Sequence, residues 1–372
     1  MKGKHSSSGQ VSGYEKGSSS KSGRAVKYIV GDILLTGLVL VIFAMFHHVI
    51  PRITAKNVEI APVSTVTVTP SPAAVAPSPA VVNTDAEDEP EVSAEPEVID
   101  TRTEWQIKFE DKFTDEIIWT DSSYSSPNIS ISIETVETDV RGMPVVYYVA
   151  DIYIGSIENF RTYIANGTFT HFGSESAISG GIKSNAVLAI SGDYCNTQYS
   201  GLLVRNGDVY FTEQTECDIC VLYYDGTVET YTTDEYAAED ILAKNPYQTW
   251  KFGPKLLDND GKAVTDFSNT EVAIQWENPR SGFGYYEPGH YCFVTVDGRQ
   301  TGWSRGLEIE YFAQVFEGLG CTRAYNLDGG ATAVMTFNNE TYSRPYGDRD
   351  PGDLLVIGEI PEADDGSQEV DE

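Results

Sequence analysis

The sequence predicts an α+β fold, a β-rich mixed-sheet domain with a few packed helices, preceded by a single transmembrane helix and a disordered linker. Three observations lead there. From Thr101 onward, β-branched and aromatic runs recur between Asn-Gly and Asp-Gly turn signals. Only three stretches in that region have helical spacing. Near the amino terminus one long apolar run is followed by Pro, Ala and acids.

The elements follow in chain order. Residues 1–27 form a basic tail, rich in Ser, Gly and Lys and expected to be disordered. Lys2, Lys4, Lys16, Lys21, Arg24 and Lys27 against Glu15 make it +5, which leaves −36 for the remainder of a chain of net charge −31. Residues 28–50 are almost wholly apolar, and as a helix they cross a hydrocarbon core of about 30 Å. Asp32 sits near the basic end, where its carboxylate reaches the interface at modest cost. The long basic flank and the lack of a nearby small-x-small cleavage site favour an uncleaved anchor over a removed signal peptide. Because Lys and Arg concentrate before the span, the amino terminus is expected in the cytoplasm and the carboxy-terminal domain outside a cell membrane crossed once. Residues 51–101 are a Pro/Ala/acidic linker whose prolines and like charges keep it extended. Residues 361–372 are an acidic tail.

The acidic outer portion repels polyanions, which excludes nucleic acid as a partner. Five cysteines in an oxidising compartment leave at least one unpaired or paired between molecules. Cys217-Asp-Ile-Cys220 has metal-like spacing but no second C-x-x-C or His pair, so no zinc site is expected.

Residues 102–360 read as one domain. Ile129 to Ile133 alternates as a half-buried strand does, whereas Val145 to Ile154 and Ala186 to Ile190 read as buried strands. Asn206-Gly207 and Asp225-Gly226 each separate apolar runs as hairpin turns. Helices are expected at Ile157 to Ala165, Asp234 to Lys244 and Glu308 to Gly318. Tyr291 to Val296, the third helix and Ala324 to Leu327 then form a β-α-β unit, which brings Asp297 near Asp328 on one sheet edge.

The densest chemistry lies in Asn326-Leu-Asp-Gly-Gly-Ala-Thr332, with Asp297-Gly-Arg299 upstream of it. Read alone, such Asp-Gly and Gly-Gly pairs are also ordinary turn chemistry. They occur here in an ordered series with Ala189-Ile-Ser-Gly-Asp-Tyr194, Gly201-Leu-Leu-Val-Arg-Asn-Gly207, Phe252-Gly-Pro254, Asn278-Pro-Arg280 and Val296-Asp-Gly-Arg299. That series resembles the phosphodiester glycosidase domain family, which includes the lysosomal uncovering enzyme and many bacterial envelope proteins, and it covers roughly residues 102–360.

The resemblance implies hydrolysis of a sugar linked through its anomeric carbon to a phosphodiester. Phosphate is a good leaving group, so such an enzyme needs guanidinium forks for the phosphate and a carboxylate at the anomeric centre. Asp328, Asp193 and Asp297 are the expected catalytic residues, with Asp328 first. Arg280 and Arg299 are expected to hold phosphate, while Asn326, Gly329, Gly330 and Thr332 line the sugar. No cofactor or metal is expected, although Asp193, Asp328 and Asn326 are hard oxygen donors.

Many members carry Asn-Gly where this chain has Ser191-Gly192, and a third glycine where it has Ala331. An alanine adopts positive φ only at a cost, so Ala331 is where activity would be altered if the loop needs that backbone. The expected function is therefore a membrane-anchored hydrolase acting on an envelope glycan or exopolysaccharide. The alternative is a non-catalytic glycan-binding or polysaccharide-assembly module.

Overall fold

The computed structural model describes residues 100–197 and 200–360. The expected basic tail, transmembrane helix, acidic tail and nearly all of the linker lie outside the described residues. Among the described residues no helix is long and apolar enough to cross a membrane.

Two antiparallel sheets face each other, with a helix on the outer face of each. The first sheet is begun by β1 (Ile118–Trp119), β2 (Ser123–Ser125), β3 (Ile129–Val140) and β4 (Met143–Ile154). Three late strands complete it, β12 (Arg280–Glu287), β13 (His290–Val296) and β14 (Arg323–Asn326), in the order β1-β2-β3-β4-β13-β12-β14. The second sheet contains β5 (Phe160–Ile164), β6 (Leu188–Ser191), β15 (Met335–Phe337), β16 (Glu340–Thr341) and β17 (Asp353–Ile357), in the order β16-β15-β6-β17-β5. Between them in sequence lie a hairpin of β7 (Leu202–Arg205) and β8 (Asp208–Thr212), and a three-stranded sheet of β9 (Ile219–Tyr223), β10 (Val228–Tyr231) and β11 (Pro246–Trp250). The helices are short: α1 (Glu104–Lys108), α2 (Ala177–Lys183), α3 (Ala238–Ala243), α4 (Val272–Gln275) and α5 (Ile309–Leu319).

Residue parity along the strands separates the layers. On β4, Val146, Tyr148, Ala150, Ile152 and Ile154 point into the core shared by the sheets, together with Leu188, Ile190, Leu355 and Ile357 of the second sheet. Their neighbours Val145 and Val149 face the opposite way, where Phe312 and Phe316 of α5 cover them. Ala189, Leu354 and Val356 likewise turn outward beneath Ala177 of α2. Strands apolar on both faces are therefore central, while β3, covered on one face, alternates over its first half.

Gly282 of β12 makes room for α5. A Cβ there would lie 2.7 Å from Phe312 Cζ and 2.9 Å from Phe316 Cζ, so the absence of a side chain lets both rings approach the sheet. The helix ends at Gly320, which takes φ 83° and receives the chain in the left-handed cap that glycine favours.

Both predicted hairpins form. Asn206 and Gly207 have φ 53° and 88°, as a type I′ turn requires, and Gly226 has φ 81° between β9 and β10. The β-α-β expectation holds with one change: β13 and β14 are both antiparallel to β12, which lies between them. They therefore run in the same direction and end on the same edge. The helix expected at 157–165 is instead a 3-10 turn followed by β5, because Phe160, Thr162 and Ile164 alternate inward along the whole of β17. The helix expected at 234–244 shortens to α3.

Phe312 is fully buried between α5 and the first sheet. Phe312→Ala should lower the unfolding free energy by about 3–5 kcal/mol, measured as a fall in the urea midpoint without a change in slope.

Candidate active site

The candidate site is built at one edge, where the ends of β6, β12 and β14 meet. Ser191, the last residue of β6, shares a 2.6 Å hydroxyl contact with Ser281 of β12 and donates to the Asp328 carbonyl at 3.1 Å. The Asp328 amide in turn donates to the Gly192 carbonyl at 2.8 Å. The loops that follow the two sheets are thereby stitched together.

Asp328 is 7% exposed. Its Oδ2 accepts from the Thr332 hydroxyl at 2.7 Å, and Arg349 Nη2 lies 3.4 Å from each carboxylate oxygen. Burial holds this carboxyl above the ordinary aspartate range, against the opposing pull of Thr332 and Arg349; the nearby charge of Asp193 adds to the rise. Arg349 Nη2 also lies 3.3 Å from the Gly329 carbonyl. On the same loop, a Cβ at Gly330 would come within 3.5 Å of both terminal nitrogens of Arg299. Two guanidiniums thus flank Gly329-Gly330 beside one buried carboxyl.

A second group of charges lies behind Asp328. Arg205, at the end of β7, is fully buried and its Nη2 reaches Asp193 Oδ1 at 2.7 Å and Asp353 Oδ2 at 3.1 Å. The other oxygens are also committed: Asp193 Oδ2 accepts the Lys251 amide at 2.8 Å, and Asp353 Oδ1 accepts the amides of Asp193 and Tyr194 at 3.0 and 3.1 Å. Burial first, and then the Asp193 charge, push the Asp353 carboxyl well above the usual range. Tyr194 takes φ 60°, an uncommon backbone for an aromatic residue, and its ring lies under the Arg349 guanidinium at 5.8 Å.

Tyr194 and Asp193 border a cleft of ≈ 600 Å³. Its remaining walls carry Glu216, Asp218, Asp234, Asp266 and Glu271 against Lys251 and Lys255, so its field is negative.

The sequence-predicted residues divide into two sets. Asp328, Gly329, Gly330, Thr332 and Arg299 come together on one loop surface, and Asp193 stands behind it with its oxygens already bonded. The side chains of Arg280, Asp297 and Asn326, by contrast, are engaged within the protein. Arg280 is buried; its Nε donates to the Leu307 carbonyl and its Nη2 to the carbonyls of Ile274 and Trp276, each at 2.7 Å. It fastens α4 rather than facing solvent, and burial pushes its pKa down to about 9. Asp297 accepts from Tyr148 and Trp303 on Oδ2 and from the Arg344 amide on Oδ1, which braces the 297–304 loop. Asn326 is 1% exposed and donates to the Gly253 carbonyl at 2.7 Å, steadying the cleft wall. Ala331 lies within the 3-10 turn Gly330–Thr332 and does not take positive φ; Gly330, at 64°, carries that conformation. The loop therefore does not need a left-handed backbone at Ala331.

Arg349, Asp353 and the role of Arg205 escaped sequence reasoning. Arg205 stands in a quoted segment, but nothing in the spacing shows that it pairs with Asp353. Arg349 lies in a loop without periodicity.

Asp193, Cys195 and Asp353 each offer a donor atom within 4.8 Å of one another, which is the one metal-like cluster among the described residues. The donor set does not suit an ion. Arg205 already supplies the cation, and all four carboxylate oxygens accept hydrogen bonds.

Comparisons agree with the fold and the motif series. Residues 184–357 match the family described as phosphodiester glycosidase. The SPbeta prophage-derived uncharacterized protein YomE of Bacillus subtilis (strain 168) is 29% identical over 175 residues, covering 45% of this chain and 27% of its own. The chain thus spans about a quarter of the length of that curated relative. Among solved structures, the zebrafish N-acetylglucosamine-1-phosphodiester alpha-N-acetylglucosaminidase catalytic domain, auto-inhibited by its pro-peptide, is similar in fold. It has a TM-score of 0.53 at 18% identity and covers 66% of this chain and 88% of that one.

Two outcomes follow for the buried charges. Arg205→Met leaves the buried carboxyls of Asp193 and Asp353 without their cation and should cost about 3–5 kcal/mol in denaturant unfolding at neutral pH. Asp353 has a folded-state pKa raised above its unfolded value, so its contribution is present at low pH and is lost as pH rises through the raised pKa. The melting temperature of Asp353→Asn should consequently fall less steeply than that of the wild type above the ordinary aspartate range; parallel curves would contradict this.

Proposed function

We propose that this chain, which carries a phosphodiester glycosidase family domain over residues 184–357, hydrolyses the bond between a sugar's anomeric carbon and a phosphodiester. The observation that carries the reading is the loop Asp328-Gly329-Gly330, with the Arg349 guanidinium on the Asp328 carboxyl and the Arg299 guanidinium against Gly330.

The division of charge orients the substrate. The two guanidiniums are the cationic groups on the Asp328-Gly329-Gly330 loop, and each can offer paired donors to phosphate oxygens. The acid-rich cleft beyond Tyr194 repels phosphate and accepts the uncharged hydroxyl-bearing sugar. A substrate lying across Tyr194 therefore presents its anomeric carbon near Asp328.

Chemistry at that carbon follows from the leaving group. As the C1–O bond lengthens, negative charge grows on the phosphate and is met by Arg299 and Arg349, so little help from a general acid is needed. Positive charge grows on the ring, and the ionised Asp328 stabilises it while taking a proton from the attacking water. A carboxyl raised by burial is a stronger base once ionised. Thr332 fixes its orientation through the 2.7 Å hydroxyl bond. Asp193, bonded on both oxygens, acts from behind through its charge.

The setting is part of the proposal. The apolar run at 28–50, its +5 flank and the acidic remainder support a single-pass anchor with the amino terminus in the cytoplasm and the domain outside. An envelope glycan or exopolysaccharide bearing phosphodiesters is then the substrate class in reach.

With a synthetic sugar-1-phosphodiester as substrate, Asp328→Asn should lower kcat by about 10²- to 10⁴-fold. Arg299→Ala and Arg349→Ala should each lower kcat/KM by about 10- to 100-fold, as expected for a lost charge-assisted contact. Free sugar released at the normal rate in all three would sink the assignment. Activity should fall on the acid side with a limb above the ordinary aspartate range, since Asp328 must be ionised. Arg349→Ala should move that limb to higher pH, because the charge that helps ionise Asp328 is gone.

A further inference from the structure

Cys292 and Cys321 are brought together by the fold at a place the hydrolytic chemistry does not use. Cys292 lies on β13, and Cys321 follows the Gly320 cap of α5; 29 positions separate them, yet their sulfurs are 3.6 Å apart. Both are buried in the layer between the first sheet and α5.

Gly284 of β12 opens the space for both sulfurs. It pairs with Cys292 on one side and with Ala324 on the other, three residues beyond Cys321. A Cβ at Gly284 would lie 2.6 Å from Cys292 Sγ and 2.8 Å from Cys321 Sγ, so any other residue would drive the sulfurs from the position they share. Glycine in the middle of a central strand gives up packing and costs backbone entropy. That sacrifice is accounted for if two sulfurs fill the gap together.

We propose that Cys292 and Cys321 form a disulfide that ties β13 to the end of α5 when the chain folds in an oxidising compartment. The remaining separation is modest, since bonded sulfurs lie about 2.05 Å apart and rotation of two side chains supplies the difference. The oxidant is a disulfide, carried by a thiol–disulfide oxidoreductase or supplied as glutathione disulfide. One cysteine thiolate attacks it and releases one thiol; the second cysteine then attacks the mixed disulfide and releases the other. Two cysteine thiols lose two protons and two electrons, and the oxidant's disulfide becomes two thiols.

Burial raises the Cys292 thiol well above its ordinary range, so its thiolate is disfavoured once the helix has docked. Once formed, the bond is shielded in the buried layer between the first sheet and α5. The other cysteines have different surroundings: Cys195 lies beside Arg205, Cys217 donates to the Lys251 carbonyl at 2.8 Å, and Cys220 sits in the core between the sheets. One pair and three single thiols account for the odd number. The inference is independent of the glycosidase reading.

The test uses the full-length chain produced in an oxidising compartment, denatured with an alkylating agent and no reductant, and mapped by peptide mass spectrometry. Three alkylated cysteines and a Cys292–Cys321 linked peptide are expected. Reduction of the denatured chain followed by refolding without oxidant should lower the melting temperature by roughly 10 °C. In Cys292→Ala/Cys321→Ala the two treatments should give the same melting temperature. Five alkylated cysteines, or a link between another pair, overturns the proposal, as does an oxidant-dependent gain in melting temperature in the double variant.

Discussion

Arg205 takes a positive charge into the interior, and the candidate site depends on the two carboxylates that meet it there. Removing such a charge from water costs several kcal/mol unless oppositely charged oxygens replace the lost solvent. Asp193 and Asp353 do so with side chains that are 0% and 1% exposed. Their remaining oxygens reach the amides of Lys251, Asp193 and Tyr194, so one cation fixes the end of β7, the start of β17, the loop after β6 and the segment after β11. Gly192 stands in this knot, where a Cβ would lie 2.5 Å from Asp353 carboxyl atoms. Its carbonyl receives the Asp328 amide. The position of the Asp328 loop is thus set by an ion pair that faces no solvent.

This arrangement assigns different work to residues of the same type. Asp328 and Asp193 are both buried carboxyls beside a guanidinium, but that of Asp328 belongs to the half-exposed Arg349 and that of Asp193 to the fully buried Arg205. Asp193 spends its oxygens on Arg205 and a backbone amide. Arg349 and Arg299 face the loop surface, whereas Arg280 spends its donors on the carbonyls of Ile274, Trp276 and Leu307. What separates these roles is where each side chain's hydrogen bonds are already satisfied, a property that residue type does not encode.

That distinction marks the limit of what the sequence makes legible. Hairpins at Asn206-Gly207 and Asp225-Gly226, the alternation that begins β3, and the amphipathic α5 are local patterns, and each is found where its pattern lies. The 157–165 segment was misread because a short run with scattered apolar residues suits either period; pairing with β17 decides it. The Asn326 to Thr332 loop was found from its composition, yet Asn326 turns inward to Gly253 and only the later half of the loop faces the site. Arg349 reaches Asp328 through tertiary folding alone. The question that Ala331 raised is settled one position earlier, where Gly330 carries the left-handed backbone.

In the proposed reaction Asp328 acts at carbon while Arg299 and Arg349 hold the departing phosphate. Isotope placement tests it most directly, because attack at carbon and attack at phosphorus send the oxygen of water to different products. Hydrolysis of a sugar-1-phosphodiester in water enriched in oxygen-18, followed by phosphorus NMR of the released phosphate monoester, reads the outcome. Attack at carbon leaves the phosphate product free of label. Label in the phosphate would mean that water attacks phosphorus, and the assignment of the loop as a glycosidase centre would be wrong.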